Sequence, residues 1–375
     1  MSAREPRVAI VSDPLVQRGG AERCVEVLAQ TFPDAPVFAL LYSPARGPAS
    51  LAARVVASPL GRIPGAARRH RWLLPLYPGA VESFDLSPYD VIVSSHHTAA
   101  KGLLRNASQH HICYCHTPMR ALWERPAEEL AGLPAPARPA AAALLSRLRV
   151  WDYVSAARVD TFVANSETTR ARIAKHYGRE SRVVYPPIDV DRFSPAAGGD
   201  GANAGFDPAR DYYLVASRLV PYKRVDLAVA ATAKLGRRLV VVGAGPGERG
   251  VRAPHVDYRG HVSDAELLGL MRGARAMIFP ANEDFGMAPV EMMACGRPVV
   301  AYAGGGALET VRDGVSGVFA ADQTVAAFAA AIERLERTRF DPAAIRAHAE
   351  TFSQDRFTRT MRELVAAGYA TLTRR

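Results

Sequence analysis

Short apolar, β-branched runs alternate with stretches of helical periodicity from one end of the chain to the other. In the first half, runs at 8–11, 37–42, 91–95, 111–116, 161–164 and 182–185 predict strands. Stretches between them, such as 21–30 and 139–159, predict helices. Pro139 suits the start of the latter, where a missing N–H is not felt. The strand runs are continuously apolar rather than alternating, as strands buried on both faces of a parallel sheet are. Residues 186–207, rich in Pro, Gly, Ala and Asp, break the pattern and predict a connector. The alternation then restarts, with strands at 213–217, 239–243, 256–258, 276–279, 299–302 and 317–319. Helices are expected at 226–235, 264–272, 288–295, 324–337 and 342–349, and an amphipathic one at 355–369. Two consecutive β/α series imply an α/β fold of two doubly wound domains facing a cleft, with ligands beyond the carboxyl ends of the strands.

At 375 residues, 49% hydrophobic and 22% charged, the chain is long enough for two sizeable cores. Four cysteines without a CxxC pair exclude a disulfide scaffold and argue against a zinc site. No window reaches 18 uninterrupted apolar residues, so no transmembrane helix is expected. The opening residues enter a strand-like run without a long apolar stretch, so no secretory leader is expected and a cytoplasmic setting fits. The formal net charge of +10 changes the picture, because it calls for an anionic partner. Between Asp34 and Glu82 there is no acid, whereas Arg46, Arg54, Arg62, Arg68, Arg69 and Arg71 lie there, followed by Trp72, Leu73, Leu74, Leu76 and Tyr77. Arginines beside an aromatic and apolar cluster predict peripheral contact with the inner membrane face through Arg62, Arg68, Arg69, Arg71 and Trp72. The competing reading is a solvated basic face beside ordinary core residues. Nucleic acid is not expected, since no recognisable nucleic-acid-binding motif accompanies the charge.

The segment Glu283-Asp-Phe-Gly-Met-Ala-Pro-Val-Glu291 follows an apolar strand and enters a helix. The N–H groups of Met287 and Ala288 at that helix start suit a phosphate, Glu283 suits sugar hydroxyls and Glu291 suits a ribose diol. Arg218 and Lys223, in SRLVPYKR after the first strand of the second half, are placed to neutralise a diphosphate. Cations at a helix start oppose the helix dipole, which favours a functional reading over plain surface charge. Gly19 and Gly20 form a turn between first strand and first helix that suits close approach to a ligand, or simply a tight turn. His116 ends a strand beside Thr117 and Arg120, where it either meets a sugar or is structural. Gly243-Ala-Gly-Pro-Gly247 matches a dinucleotide fingerprint only in part and reads as a tight strand–helix turn. Asp189-Val-Asp191 is formally a DxD triplet, but it sits in the Pro-rich connector, so no metal is assigned. The absence of HExxH, GxxxxGK[ST] and GxSxG argues against zinc proteases, P-loop NTPases and α/β-hydrolases.

Taken together, EDFGMAPVE, SRLVPYKR, VGAGP, GHVSD and the early QRGGAE turn resemble the retaining GT-B glycosyltransferases of family 4 over nearly the whole chain. CYCHTPMRALW is similar to the branch containing O-antigen and exopolysaccharide mannosyltransferases. The resemblance implies two Rossmann-like domains, residues 1–190 on the acceptor side and 208–354 on the nucleotide-sugar side, with a C-terminal helix (355–375) crossing back to the first. It implies that Glu283 binds donor-sugar hydroxyls, that Phe285, Gly286, Met287 and Ala288 line the sugar and phosphate, and that Glu291 holds the ribose. Arg218 and Lys223 would bind the diphosphate, and Arg259, Gly260, His261 and Val262 the nucleobase. Gly19 and Gly20 would cap the donor from the first domain, and His116 would sit near the transferred sugar. No cofactor and no catalytic metal are implied.

The expected activity is hexose transfer from a nucleotide sugar to a glycan or polyprenyl-linked glycan in cell-surface polysaccharide synthesis. GDP-mannose is the first choice of donor and a UDP-sugar the second. Rival readings are a sugar-nucleotide epimerase, a nicotinamide-dependent oxidoreductase and a non-catalytic nucleotide-sugar-binding scaffold.

Overall fold

The computed structural model describes residues 4–196 and 211–373. Part of the expected connector, 197–207, lies outside the described residues. The chain divides into two compact units, Met1–Pro187 with Phe357–Arg375, and Ile188–Arg356.

The first unit holds a seven-stranded sheet: β1 (Val8–Ser12), β2 (Val37–Ala39), β3 (Val55–Ala57), β4 (Val91–His96), β5 (His110–Cys115), β6 (Thr161–Ala164) and β7 (Ser181–Val183). Their order is β3-β2-β1-β4-β5-β6-β7, and all neighbours run parallel. Every residue of β4 is buried, as a strand covered by helices on both faces requires. The edge strand β3 was not expected from the sequence, because its three residues carry no pattern and two of them are exposed. The run expected at 37–42 pairs as a strand only to Ala39; Leu40 and Leu41 stay buried as the chain leaves the sheet.

Helix ends follow side-chain chemistry. Ser166 accepts from the Thr169 N–H to start the helix Glu167–Tyr177, and Gly178 closes it in the left-handed region. On the helix Gln354–Thr373, Phe357, Met361 and Val365 recur at four-residue spacing and join the core formed by Ile10, Leu28, Val93 and Tyr114. The Phe357 and Tyr114 rings meet edge-on at 5.3 Å. Gly368 lies so close to the His110 ring that an added Cβ would come within 2.6 Å of it.

The basic run of the first unit divides on folding. Arg54 turns inward, and its guanidinium donates to the carbonyls of Ala29, Phe32 and Ala35, tying off the end of the helix Gly20–Thr31. Tyr77 is buried and donates to the His70 carbonyl, while Leu73 and Leu74 pack on the core. Of the expected aromatic and apolar cluster, Trp72 and Leu76 remain outside.

The second unit repeats the plan with β8 (Tyr213–Ala216), β9 (Leu239–Val242), β10 (Val256–Gly260), β11 (Ala276–Phe279), β12 (Val299–Tyr302) and β13 (Gly317–Ala320). The order is β10-β9-β8-β11-β12-β13, again all parallel. Ser263 and Thr324 cap the helices Asp264–Gly273 and Val325–Arg337, and Asp341 caps Pro342–Glu350, where Pro342 stands at the first turn. Among the described residues, no helix is long and apolar enough to cross a membrane.

Candidate active site

In a doubly wound sheet the strand order reverses at one point, and the diverging loops there leave a crevice beyond the strand ends. In the second unit that point lies between β8 and β11. Arg218 and Lys223 follow β8, while Glu283, Phe285, Gly286, Met287 and Ala288 follow β11, so the reversal collects them from two distant parts of the sequence.

The Lys223 ammonium and the Glu283 carboxylate form an ion pair. Both side chains are largely enclosed, 12% and 20% exposed. Lys223 ends a 3-10 turn, Pro221–Lys223, and Arg224 follows in the left-handed region at φ 51° before the helix Val225–Lys234 begins. Arg218 stands five residues before Lys223, its guanidinium donating to the Tyr222 hydroxyl at 3.0 Å. One cation meets a carboxylate at adjoining strand ends and a second cation stands on the same loop, in a pattern suited to a ligand with both phosphates and hydroxyls.

The loop after β11 is held from below and from the side. Phe285 is buried, its ring 5.7 Å from that of Phe352. Gly286 takes φ +84°, and a Cβ there would lie 2.9 Å from the Phe279 ring. The helix Met287–Ala294 begins at once, with no side-chain cap, and is buried from Pro289 onward. Its first-turn N–H groups, those of Met287 and Ala288 among them, have no acceptor within the helix and form an anion-favouring end. Glu291 lies on the same helix and is buried.

Sequence reasoning missed the glycines after β12. The Gly306 N–H donates to the Glu283 carbonyl at 2.8 Å. An added Cβ at Gly306 would lie 2.4 Å from the Asp284 oxygen, and one at Gly305 would lie 2.2 Å from the Glu283 oxygen. These glycines let one loop press against another and set the height of Glu283. The run GGG at 304–306 was the available signal. Gly243 packs in the same manner under Arg218, since its Cβ would lie 1.9 Å from the Ser217 oxygen. That close approach explains the Gly243–Gly247 turn without a dinucleotide.

Arg259 is exposed and pairs with Asp257 at 2.8 Å, which raises its pKa. Gly260 accepts from the Gly243 N–H at 2.7 Å, joining the turn 259–262 to the turn after β9; His261 is exposed and Val262 half-buried. Asp189 accepts from the Arg192 N–H at 3.0 Å, so in the Asp189-Val-Asp191 triplet its carboxylate closes a turn.

The remaining expected residues belong to the first unit. Gly19 and Gly20 are exposed, and Gly19 precedes the helix Gly20–Thr31 in an ordinary extended conformation. His116 follows β5 and bonds to the Ser95 hydroxyl at 2.9 Å. Burial, with help from the neighbouring His97 and His96, pushes its pKa down to about 3, so it stays neutral at pH 7. Asp13, also missed, follows β1 at the reversal between β1 and β4. Its carboxylate accepts from the N–H groups of His97, Thr98, Ala99 and Ala100 at 2.6–3.0 Å and from the His97 ring at 2.8 Å. Burial works to raise its pKa, but His97 and these donors outweigh it and hold the carboxyl well below its usual range. Deeper still, Lys101 pairs with Asp152 at 2.7 Å, both fully buried. Ser155, Trp123 and Tyr177 complete that network.

Residues 18–192 match the family model described as Glycosyltransferase Family 4, and residues 202–352 match Glycosyl transferases group 1. D-inositol 3-phosphate glycosyltransferase of Geodermatophilus obscurus is 35% identical over 242 residues, 56% of this chain and 52% of that protein. The protein of the same name from Streptomyces bingchenggensis is 31% identical over 232 residues, 52% of this chain and 50% of its own length. The chain thus spans about half the length of the curated relatives it matches. Among solved structures, Anabaena HepE in complex with UDP superposes with a TM-score of 0.69 at 20% identity, covering 96% of this chain and all of that one. Sucrose-phosphate synthase from Thermosynechococcus elongatus gives 0.71 at 18% identity, covering 97% and 100%. Family models that take in every strand except β1, and whole-chain likeness to such folds, lead to one conclusion: the chain has the GT-B fold and is similar to the family 4 glycosyltransferases over residues 18–192 and to the group 1 glycosyltransferases over 202–352.

Proposed function

We propose that the protein transfers a hexose from a nucleotide sugar to a glycan or polyprenyl-linked glycan, with retention of anomeric configuration, in cell-surface polysaccharide synthesis. The observation that carries this reading is the convergence of Arg218, Lys223 and Glu283 at the strand reversal of the second unit. Arg218 and Lys223 hold the donor diphosphate and stabilise the charge that builds on it as the anomeric C–O bond breaks. Glu283 accepts from hydroxyls of the sugar, and the N–H groups of Met287 and Ala288 assist at the phosphate beside Phe285 and Gly286. Glu291 takes the ribose diol, and the turn Arg259, Gly260, His261, Val262 takes the base through its backbone. His116 is assigned to the transferred sugar, and Gly19 and Gly20 to the donor, on the family pattern. The acceptor hydroxyl attacks from the leaving-group side and passes its proton to a phosphate oxygen, so no protein nucleophile is required.

GDP-mannose is the preferred donor on the HTPMR stretch at 116–120. A UDP-sugar is the second reading, favoured by solved relatives of this fold that carry UDP or UDP-glucose. The D-inositol 3-phosphate glycosyltransferases add a phosphorylated polyol to the acceptors worth assaying. The experiment is acceptor-dependent release of nucleoside diphosphate from GDP-mannose and UDP-glucose, with the anomeric configuration of the product read by NMR. Release without an acceptor would favour an epimerase, and binding without release a scaffold.

A further inference from the structure

Among the described residues, ten large apolar side chains are exposed, and six of them lie on two stretches of the first unit: Ile63, Trp72, Leu76, Val150, Tyr153 and Val154. Trp72 and Leu76, 78% and 50% exposed, both lie on the 3-10 segment His70–Leu76. Val150, Tyr153 and Val154 stand one turn apart on the helix Arg138–Ser155. The two segments adjoin, because Leu74 of the first packs in the same cluster as Leu144, Leu145 and Leu148 of the second.

A helix that turns one face to the core ordinarily turns a charged face to water. Here the outward positions are Ala142, Ala143, Ser146, Val150, Tyr153 and Val154, and between 139 and 155 the only exposed charged residue is Arg147. The neighbouring stretch adds Arg62, Arg68, Arg69 and Arg71, all exposed and without an ion pair or side-chain hydrogen bond among the described residues. Neither 35–81 nor 130–151 contains an acid, and Asp152 is buried against Lys101. The surface therefore combines an apolar strip with positive charge that nothing on the two segments neutralises.

We propose that this face docks on an anionic lipid bilayer. Trp72, Leu76, Val150, Tyr153 and Val154 enter the boundary between headgroups and acyl chains, and Arg62, Arg68, Arg69, Arg71 and Arg147 lie against lipid phosphates. Charge decides for a bilayer over a second copy of the chain, since a twofold self-contact would set arginine against arginine. The helix strip extends the basic run legible in sequence and supplies the apolar area that arginines and one tryptophan lack. The inference fits a lipid-linked acceptor but is tested without donor or acceptor, so its failure and the failure of the transferase reading are seen separately.

The test is co-sedimentation of the full chain with vesicles of phosphatidylcholine alone or mixed with phosphatidylglycerol. Sedimentation with the mixed vesicles only, weakened by salt and no more by inorganic phosphate than by chloride at equal ionic strength, is expected. Arg68→Ala with Arg69→Ala should reduce partitioning about fivefold per charge. Trp72→Ser, and the triple variant Val150→Ser, Tyr153→Ser, Val154→Ser, should each reduce it about tenfold. Thermal midpoints establish folding, and Val150→Ser alone serves if the triple variant is unfolded. No sedimentation, equal sedimentation with both vesicle types, displacement by inorganic phosphate beyond that by chloride at equal ionic strength, or a lipid-free dimer that the triple variant dissolves would each overturn the proposal.

Discussion

The Lys223 ammonium is paired with the Glu283 carboxylate, joining the loop after β8 to the loop after β11. The pair keeps two partly buried charges neutralised at the strand ends. A nucleotide sugar offers each a replacement partner: diphosphate for the lysine, hydroxyls for the carboxylate.

Removing either member should therefore strike transfer harder than folding. Lys223→Ala and Glu283→Ala are each expected to lower kcat by about 10²–10³-fold, the usual range for a group that meets charge developing in the transition state. The double variant should be little worse than the worse single one, because groups acting together are not additive. Steady-state rates with a matched thermal midpoint check this.

The two residues should separate on binding. Lys223→Ala is expected to weaken the nucleoside diphosphate and its sugar conjugate alike. Glu283→Ala should leave the diphosphate within about threefold and weaken the conjugate by roughly tenfold, the value of one or two hydrogen bonds to a charged group. Calorimetric titration of both ligands against both variants measures the difference.

Gly306 should prove a positioning residue. A Cβ 2.4 Å from the Asp284 oxygen must push the Glu283 loop away. Gly306→Ala is expected to cost about 1–3 kcal/mol of stability, as overpacking does, and to lower kcat. Gly269→Ala, on an open helix face, should be neutral or slightly stabilising. Urea unfolding and turnover of the pair provide the comparison.

The buried network of the first unit predicts a different signature. Lys101→Met leaves the Asp152 carboxylate uncompensated in the interior and should cost about 3–5 kcal/mol. Adding Asp152→Leu should restore a good part of that loss, since the charge is removed as well. A urea-unfolding double-mutant cycle reads the coupling.

Stability should also fall in acid. Burial lowers the pKa of His96, His111 and His116 to about 3 in the folded chain, against an ordinary value of 6.5. Between those values the unfolded chain binds more protons, so their contribution is complete above pH 6.5 and drains as pH falls toward 3. The slope is up to about 1.4 kcal/mol per pH unit for each histidine. Asp13, whose pKa is lowered, adds a loss below its ordinary 3.8. Urea unfolding from pH 7 to pH 4 tests the sign: stability that rises on acidification would contradict it.

Much of this was legible in sequence where burial is uniform. The strands 161–164, 276–279 and 299–302 fall where their apolar runs predict, because a central parallel strand must be apolar on both faces. β3 escaped because its exposed positions dilute the pattern. The candidate residues after β8 and β11 could be singled out by local chemistry. Asp13 and the Lys101–Asp152 pair could not, since each has partners 50 or more residues away, and the GGG run marks Gly306 only as a turn, its role being defined by contact between separate loops. Arg54 shows the reverse error: a cation counted with a surface run spends its charge on the carbonyls at a helix end.

The central claim is that the second unit grips an activated sugar through Lys223 and Glu283. It is tested most directly by the thermal midpoint of the protein with GDP, UDP, ADP and their sugar conjugates, because a ligand bound to the native state alone raises it. One base should give a shift of several degrees, larger for the conjugate than for the diphosphate, and Lys223→Ala should abolish it. No shift with any nucleotide, or an equal shift in Lys223→Ala and Glu283→Ala, would contradict the account.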